Sequence, residues 1–362
     1  MSEQILNPVE AISAEIESSI STQTVGMLRL KKANATIVDA ARRPNPRDLY
    51  HGLWYEGEVC CLFADSNLGK SIYAVQMADA IARQQNVLYM DCELSDKQFQ
   101  LRYYDVENNI RHIFPDGLIR AEIDPEAISM DNYEDTIIKN IEDAALVTNS
   151  SVIIIDNLTY LCNASDKGEA AGIFMMKLMQ LKKKHNFSIL IIAHTPKRNL
   201  ANPITQNDLA GSKKLYNFFD SVFAIGKSYK DNCLRYVKQV KVRAGEYRYD
   251  SDNVLIYEIV SDRGFLHFEH IGYAQEKEHL KEDEDNAANA QLAINVTELR
   301  KEGKSIREIA NELGITKSKV ERLLKKANVS TVATVPPVST VSPLGQRDTE
   351  TPRDSQNEQQ LF

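Results

Sequence analysis

The chain has 362 residues, 43% of them hydrophobic and 26% charged, and a formal net charge of −8. Such a composition is that of a soluble globular protein with room for one large domain or two smaller ones, and it excludes a chain that is basic throughout. Apolar runs such as 152–155 and 189–193 are far too short to span a bilayer, and the N-terminus lacks the basic-then-apolar pattern of a signal peptide. The five cysteines show no C-x-x-C spacing, so a reduced cytoplasmic protein without membrane contact or cysteine-bound metal is expected.

Residues 1–44 are polar and weakly helical and read as an N-terminal arm. Residues 45–272 alternate strand and helix patterns. The strands are "EVCCLFA" (58–64), "NVLYMD" (86–91), "SVIIID" (151–156), "FSILIIAH" (187–194) and "SVFAIG" (221–226). Helical spacing follows the first three, in "KSIYAVQMADAIARQ", "SDKQFQLRYYDV" and "EAAGIFMMKLMQLKKKH". Unbroken apolar runs suit strands buried on both faces, and strand–helix repetition implies an α/β fold with a mostly parallel sheet. "LRYVKQVKV" and "NVLIYEIV" alternate apolar with polar residues and are predicted as antiparallel additions at one edge. Residues 273–290 are acidic, then small and polar, and read as a linker. From 291 to 328 three short helices are expected, and 329–362 is a Ser-, Thr-, Pro- and Gln-rich tail expected to be disordered.

One stretch of the core carries phosphate chemistry. "ADSNLGKS", comprising Ala64, Asp65, Ser66, Asn67, Leu68, Gly69, Lys70 and Ser71, nearly matches G-x-x-x-x-G-K-[ST] and stands between a predicted strand and a predicted helix. Backbone N–H groups of such a loop converge on phosphate oxygens. Lys70 would reach the outer phosphates of ATP and the Ser71 hydroxyl would join the shell of Mg²⁺. Ala64 stands where the first glycine is usual and would have to make its tight turn. At Gly69 a side chain would obstruct the phosphate. Three later strands also end in polar residues: Asp91 and Glu93 after the second, Asp156 after the third, His194 after the fourth. Glu93 suits a general base for the attacking water, Asp156 the Mg²⁺ shell, and His194 a sensor of the γ-phosphate. Open α/β sheets place their ligands at such strand ends.

Taken with "YMDCELS", "SVIIIDNLTYL", "ILIIAHTPKR", "LAGSKKLYNFFDSVFAI" and "YVKQVKVRAGE", the core resembles the RecA-like P-loop ATPases, especially the hexameric helicases of the DnaB and plasmid RepA types. The resemblance covers about residues 50 to 260. It implies that Glu93 is catalytic, that His194 is the fourth strand's polar residue, and that the loop from Lys197 through Asn207 faces DNA. Gly211 and Ser212 match the family's G-S pair, and Lys241 and Arg243 its K-x-R pair, which reaches a neighbouring subunit's nucleotide. The active sites would then lie between subunits of a homo-oligomer, a hexameric ring in this family. No helicase-type N-terminal domain is recognisable.

Beyond the linker, residues 291–329 carry nine basic against five acidic residues. Ser305 and Glu308 form a capping-box pair, Gly314 makes a turn and Thr316 caps a third helix. The segment resembles the helix-turn-helix of site-specific recombinases and bacterial regulators, which implies that Lys317, Ser318, Lys319 and Arg322 face the major groove of DNA. The expectation is a DNA-binding ATPase acting in replication, mobilisation or maintenance of a plasmid or mobile element, alongside other replication or mobile-element proteins. The alternatives are a nucleotide-switched DNA-binding regulator with slow hydrolysis, and an ATPase acting on a protein through the small domain.

Overall fold

The computed structural model describes residues 23–127, 133–157, 169–195, 198–209, 213–243, 245–281 and 284–332. The chain divides into two units, Met1–Lys281 and Glu282–Phe362.

The first unit is built on nine strands: β1 (Val59–Ala64), β2 (Val87–Asp91), β3 (Leu118–Ala121), β4 (Val152–Asp156), β5 (Ser188–His194), β6 (Ser221–Lys227), β7 (Leu234–Val242), β8 (Val254–Asp262) and β9 (Phe265–Ala274). They lie in the order β9-β8-β7-β6-β1-β5-β4-β2-β3. The six from β6 to β3 are parallel, and β7, β8 and β9 continue the sheet as antiparallel neighbours. The α/β architecture with a mostly parallel sheet is therefore as expected, with a third antiparallel strand that the sequence reading did not place.

Period-two alternation sends the two halves of each central strand into two cores. Val59, Cys61 and Phe63 of β1 point to one face, where the helices α3 (Tyr133–Val147) and α4 (Glu169–His185) bury Ile137, Ile141, Phe174 and Leu178. Cys60, Leu62 and Ala64 point to the other, against Tyr73, Met77 and Ile81 of the helix α1 (Lys70–Ala82). Two shorter helices complete the unit: α2 (Asp96–Arg102) follows β2 behind a capping box between Ser95 and Gln98, and α5 (Lys213–Phe218) precedes β6. Burial of both strand faces explains the unbroken apolar runs.

The last strands bend back over α1. The Gln76 side chain donates to the Phe268 carbonyl at 3.0 Å and accepts from its N–H at 2.8 Å, standing in for a tenth strand along part of β9. Two boundaries differ from expectation. The first unit runs past residue 272 to Lys281, because Glu276 is fully buried. Its carboxylate takes the Lys238 ammonium at 2.6 Å and the Ile204 N–H at 2.7 Å. Composition sees only an acidic run there; it cannot see the buried partner that removes one member from solvent. In the second unit a helix, α6 (Glu284–Lys301), begins inside the segment read as linker.

That second unit adds α7 (Ile306–Glu312) and α8 (Lys317–Val332). Val296, Ile309, Ala310, Val320 and Leu323 form its own buried cluster. Ser305 and Glu308 make the reciprocal capping box, and Gly314 has φ of 62°. Residues 333–362 lie outside the described residues. Among the described residues no helix is long and apolar enough to cross a membrane.

Candidate nucleotide site

The register of the sheet brings the expected residues to one edge. Asp91 pairs with Asp156 across β2 and β4, and His194 pairs with Ala64 across β5 and β1. Four adjacent strands thus end at one edge of the sheet within two residues of one another, the edge from which the 65–69 loop rises into α1.

The turn is not made where the sequence suggested. Ala64 is the last residue of β1, in ladder with His194 and Ile225, and needs no special backbone. The left-handed positions are Asn67 (φ 63°) and Gly69 (φ 94°). Asn tolerates that region and Gly favours it. Gly69 is also required for space, since a Cβ there would lie 2.9 Å from the Phe268 ring and 3.3 Å from Ile259. The crowding comes from the chain's own β8 and β9, an additional reason for glycine that the motif does not contain.

Lys70 is buried at the helix start and donates to the carbonyls of Ala64 (3.0 Å) and Asp65 (3.1 Å). Burial lowers its pKa, with Asp156, Glu93 and Asp65 pulling it back up. Asp156 is buried at the end of β4. Burial raises its carboxyl to about 6, against hydrogen bonds from the Ser71 and Tyr89 hydroxyls, the latter at 2.8 Å. Ser71 and Asp156 are hard oxygen donors already in contact, which fits a Mg²⁺ ion that keeps most of its waters. Among the described residues no three acidic, His or Cys side chains cluster as a metal cage.

Glu93 stands beside this pair with its side chain 42% exposed, open to water. Asn157 donates to the Glu93 carboxylate and contacts His194 Nε2 at 3.1 Å, and Glu93 and His194 approach to 3.7 Å. If Asn157 donates to Nε2, the His194 ring proton sits on Nδ1. Burial and the Lys70 charge lower the His194 pKa. Asn157 escaped the sequence reading, although "IIIDN" placed it one residue past the strand. Asp91 is spoken for: it accepts from the N–H groups of Glu93 and Leu94 and pairs with Arg120 at 3.0 Å. It shapes the turn that presents Glu93.

Lys241 and Arg243 are elsewhere. β7 runs antiparallel to β6, so both sit at the opposite end of the sheet, roughly 15 Å from the loop by strand rise. Arg243 is 52% exposed and pairs with Asp220 at 2.6 Å; Lys241 donates to the Tyr216 carbonyl and lies over its ring. Neither can serve the nucleotide loop of its own chain. A cleft of about 730 Å³ opens beside Arg243, lined among others by Glu58, Lys182, Asp220 and Arg248.

In the loop after β5, Lys197, Gly211 and Ser212 lie outside the described residues. Arg198, the loop's described cation, is turned inward rather than to solvent, with 7% of its side chain exposed. Asn199, Asn202, Gln206 and Asn207 are exposed. In the second unit Lys317, Ser318 and Arg322 are exposed and Lys319 is half-buried at the start of α8.

Residues 27–199 match a family model described as an AAA domain. The match begins inside the segment read as an arm. The chain is 25% identical over 194 residues to a protein named DNA repair protein RadA from Streptococcus pyogenes serotypes M6 and M1. The alignment takes in 52% of this chain and 37% of each relative, so the chain spans little more than a third of the curated relatives it matches. A crystal structure of a KaiC-like protein from Pyrococcus horikoshii aligns over 60% of this chain and 91% of its own, at 12% identity and a TM-score of 0.42.

Proposed function

We propose that this protein is a RecA-like P-loop ATPase that binds ATP and Mg²⁺ in the 64–71 loop and works on DNA. The observation that carries the reading is the convergence of Lys70, the Ser71–Asp156 pair and the Glu93–Asn157–His194 network at the ends of four neighbouring strands. Lys70 would turn from the loop carbonyls to the outer phosphates, and Ser71 with Asp156 would hold the ion. When bound, Mg²⁺ neutralises phosphate charge. Glu93 would take the proton of the attacking water while Asn157 holds its carboxylate towards His194.

The position of Lys241 and Arg243, out of reach of their own chain's loop, supports a role in trans. Arg243 would supply a planar cation to the neighbour's phosphate in a homo-oligomer, a hexameric ring of the DnaB and RepA kind. The three helices of the second unit would act as a helix-turn-helix that recruits the ATPase to DNA through Lys317, Ser318, Lys319 and Arg322. The relatives are named for DNA repair; for this chain, service to replication, mobilisation or maintenance of a plasmid or mobile element in the cytoplasm is our reading. One observation favours a second reading, a nucleotide-switched DNA-binding regulator: Arg198, in the loop that would track DNA, is turned inward, with 7% of its side chain exposed.

ATP turnover with and without single- and double-stranded DNA, run beside strand displacement, separates the readings. A motor shows DNA-stimulated turnover and displacement. A switch shows slow turnover, no displacement and nucleotide-dependent binding. No ATP binding under any condition would sink both.

A further inference from the structure

The loop carries a carboxylate. Asp65 is the first residue after β1, and its charge pulls against the burial that lowers the Lys70 pKa, behind Asp156 and Glu93. Left alone, that carboxylate would repel the phosphates that the loop N–H groups gather. Arg198 faces it. The Arg198 Nε lies 3.5 Å from Asp65 Oδ2, with the two side chains 7% and 29% exposed.

The guanidinium is held from other sides as well. Its Nη1 donates to the Asn202 carbonyl at 3.0 Å, and it hydrogen-bonds the Tyr236 hydroxyl. Tyr236 is fully buried, and its ring lies across Gly226 so closely that a Cβ there would be 2.0 Å from the ring. That hydroxyl also donates to Glu276 at 3.3 Å. Glu276 in turn fixes the loop through the Ile204 N–H, and Lys238 through the Ile204 carbonyl at 2.8 Å. A cation this constrained has a fixed electrostatic task more readily than a surface role.

We propose that Arg198 is a positioning residue that cancels the Asp65 charge and so makes the loop fit for a triphosphate, resting on the ATP-binding reading above. Arg198 itself touches no phosphate in this scheme; it acts through Asp65. The proposal also accounts for the inward turn of the one described cation in a loop otherwise presenting asparagine and glutamine.

The test measures affinity of the full chain for a fluorescent ATP analogue with Mg²⁺. Arg198→Ala should bind roughly 10- to 100-fold more weakly, as when one partner of a buried charge pair is lost. Arg198→Lys should keep most of the affinity. Asp65→Asn alone should bind as well as the natural chain or better. The decisive variant is Arg198→Ala with Asp65→Asn, in which affinity should return to within about threefold of the Asp65→Asn protein, because no charge remains to cancel. A merely structural Arg198, or one that contacts phosphate, would leave the double variant as weak as Arg198→Ala, and either that result or unchanged affinity in Arg198→Ala overturns the proposal. Should Arg198→Ala fail to fold, the comparison of Asp65→Asn with and without Arg198→Lys decides alone: equal affinities are expected, and a loss on changing Arg198 when Asp65 is already neutral overturns it. If the natural chain binds no ATP analogue, the parent reading fails instead.

Discussion

Burial raises the Asp156 carboxyl to about 6, well above the ordinary carboxylate range, while Ser71 and Tyr89 pull the other way. In the folded state the ionised form is therefore disfavoured. Above pH 6 the charge costs the fold about 3 kcal/mol, and the cost fades as pH falls towards the unfolded value. Asp156→Asn should accordingly stabilise the protein more at pH 8 than at pH 4, as read by urea unfolding at both pH values. The same substitution should weaken any Mg²⁺ dependence of nucleotide binding. A variant stabilised equally at both pH values would contradict the burial argument. For Lys70→Ala we expect ATP binding weaker by roughly 10- to 100-fold. Glu93→Gln should bind normally but turn over roughly 10²- to 10⁴-fold more slowly, measured in single turnover. Ala64→Gly should leave affinity unchanged and cost about 0.5–1 kcal/mol, since the position is ordinary strand.

Elements differ in how plainly the sequence announces them. β1, β2, β4, β5 and β6 are apolar runs that lie between helices on both faces, so hydrophobicity alone marks them. β3 is four residues at the sheet edge, each only partly buried, and carries no comparable signal. β9 reads "FLHFEHIGYA", half exposed, and its main burial is Phe268 against α1. On its outer edge Phe268 pairs with a glutamine side chain, which no periodicity reveals. Candidate residues followed the same division. Lys70, Glu93, Asp156 and His194 stand at strand ends and were legible. Asn157, the inward turn of Arg198 and the crowding of Gly69 depend on contacts between segments distant in sequence. Gly226 tests that class of contact. Gly226→Ala would drive a methyl into the Tyr236 ring, and a loss of about 1–3 kcal/mol is expected in urea unfolding. ATP affinity should fall with it, because Tyr236 holds Arg198.

At the scale of the whole molecule, the two units have separate cores, with Val296, Ile309 and Val320 closing the smaller one. Residues 284–332 should therefore fold alone, checked by a cooperative melt of the isolated segment. If Lys317, Lys319 and Arg322 meet phosphates, its duplex-DNA binding should fall with salt at a log–log slope of about −3. A slope near zero would remove the DNA interface. The subunit boundary has its own check. Lys70→Ala and Arg243→Ala proteins, each inactive, should recover part of their ATPase activity when co-assembled, since some interfaces then pair an intact loop with an intact arginine. Co-assembled mixtures as inactive as their components would leave Arg243 as a partner of Asp220 and nothing more.

The contact of Phe268 with Gly69 also orders events on the ribosome. The loop emerges early, but the strand that packs on it comes much later, with Phe268 192 residues beyond the Gln76 that grips it. At ordinary rates of synthesis that separation lasts roughly 10–40 s. During this interval Gly69 lacks the ring that packs beside it, Gln76 has no strand to hold, and the side of α1 that meets Tyr257 and Phe268 waits uncovered. A nascent chain therefore gains its finished 65–69 loop only after nearly the whole first unit has been made. Chains released early, including any ending near residue 199 where the family match stops, carry the entire phosphate motif without the strands that crowd it into shape.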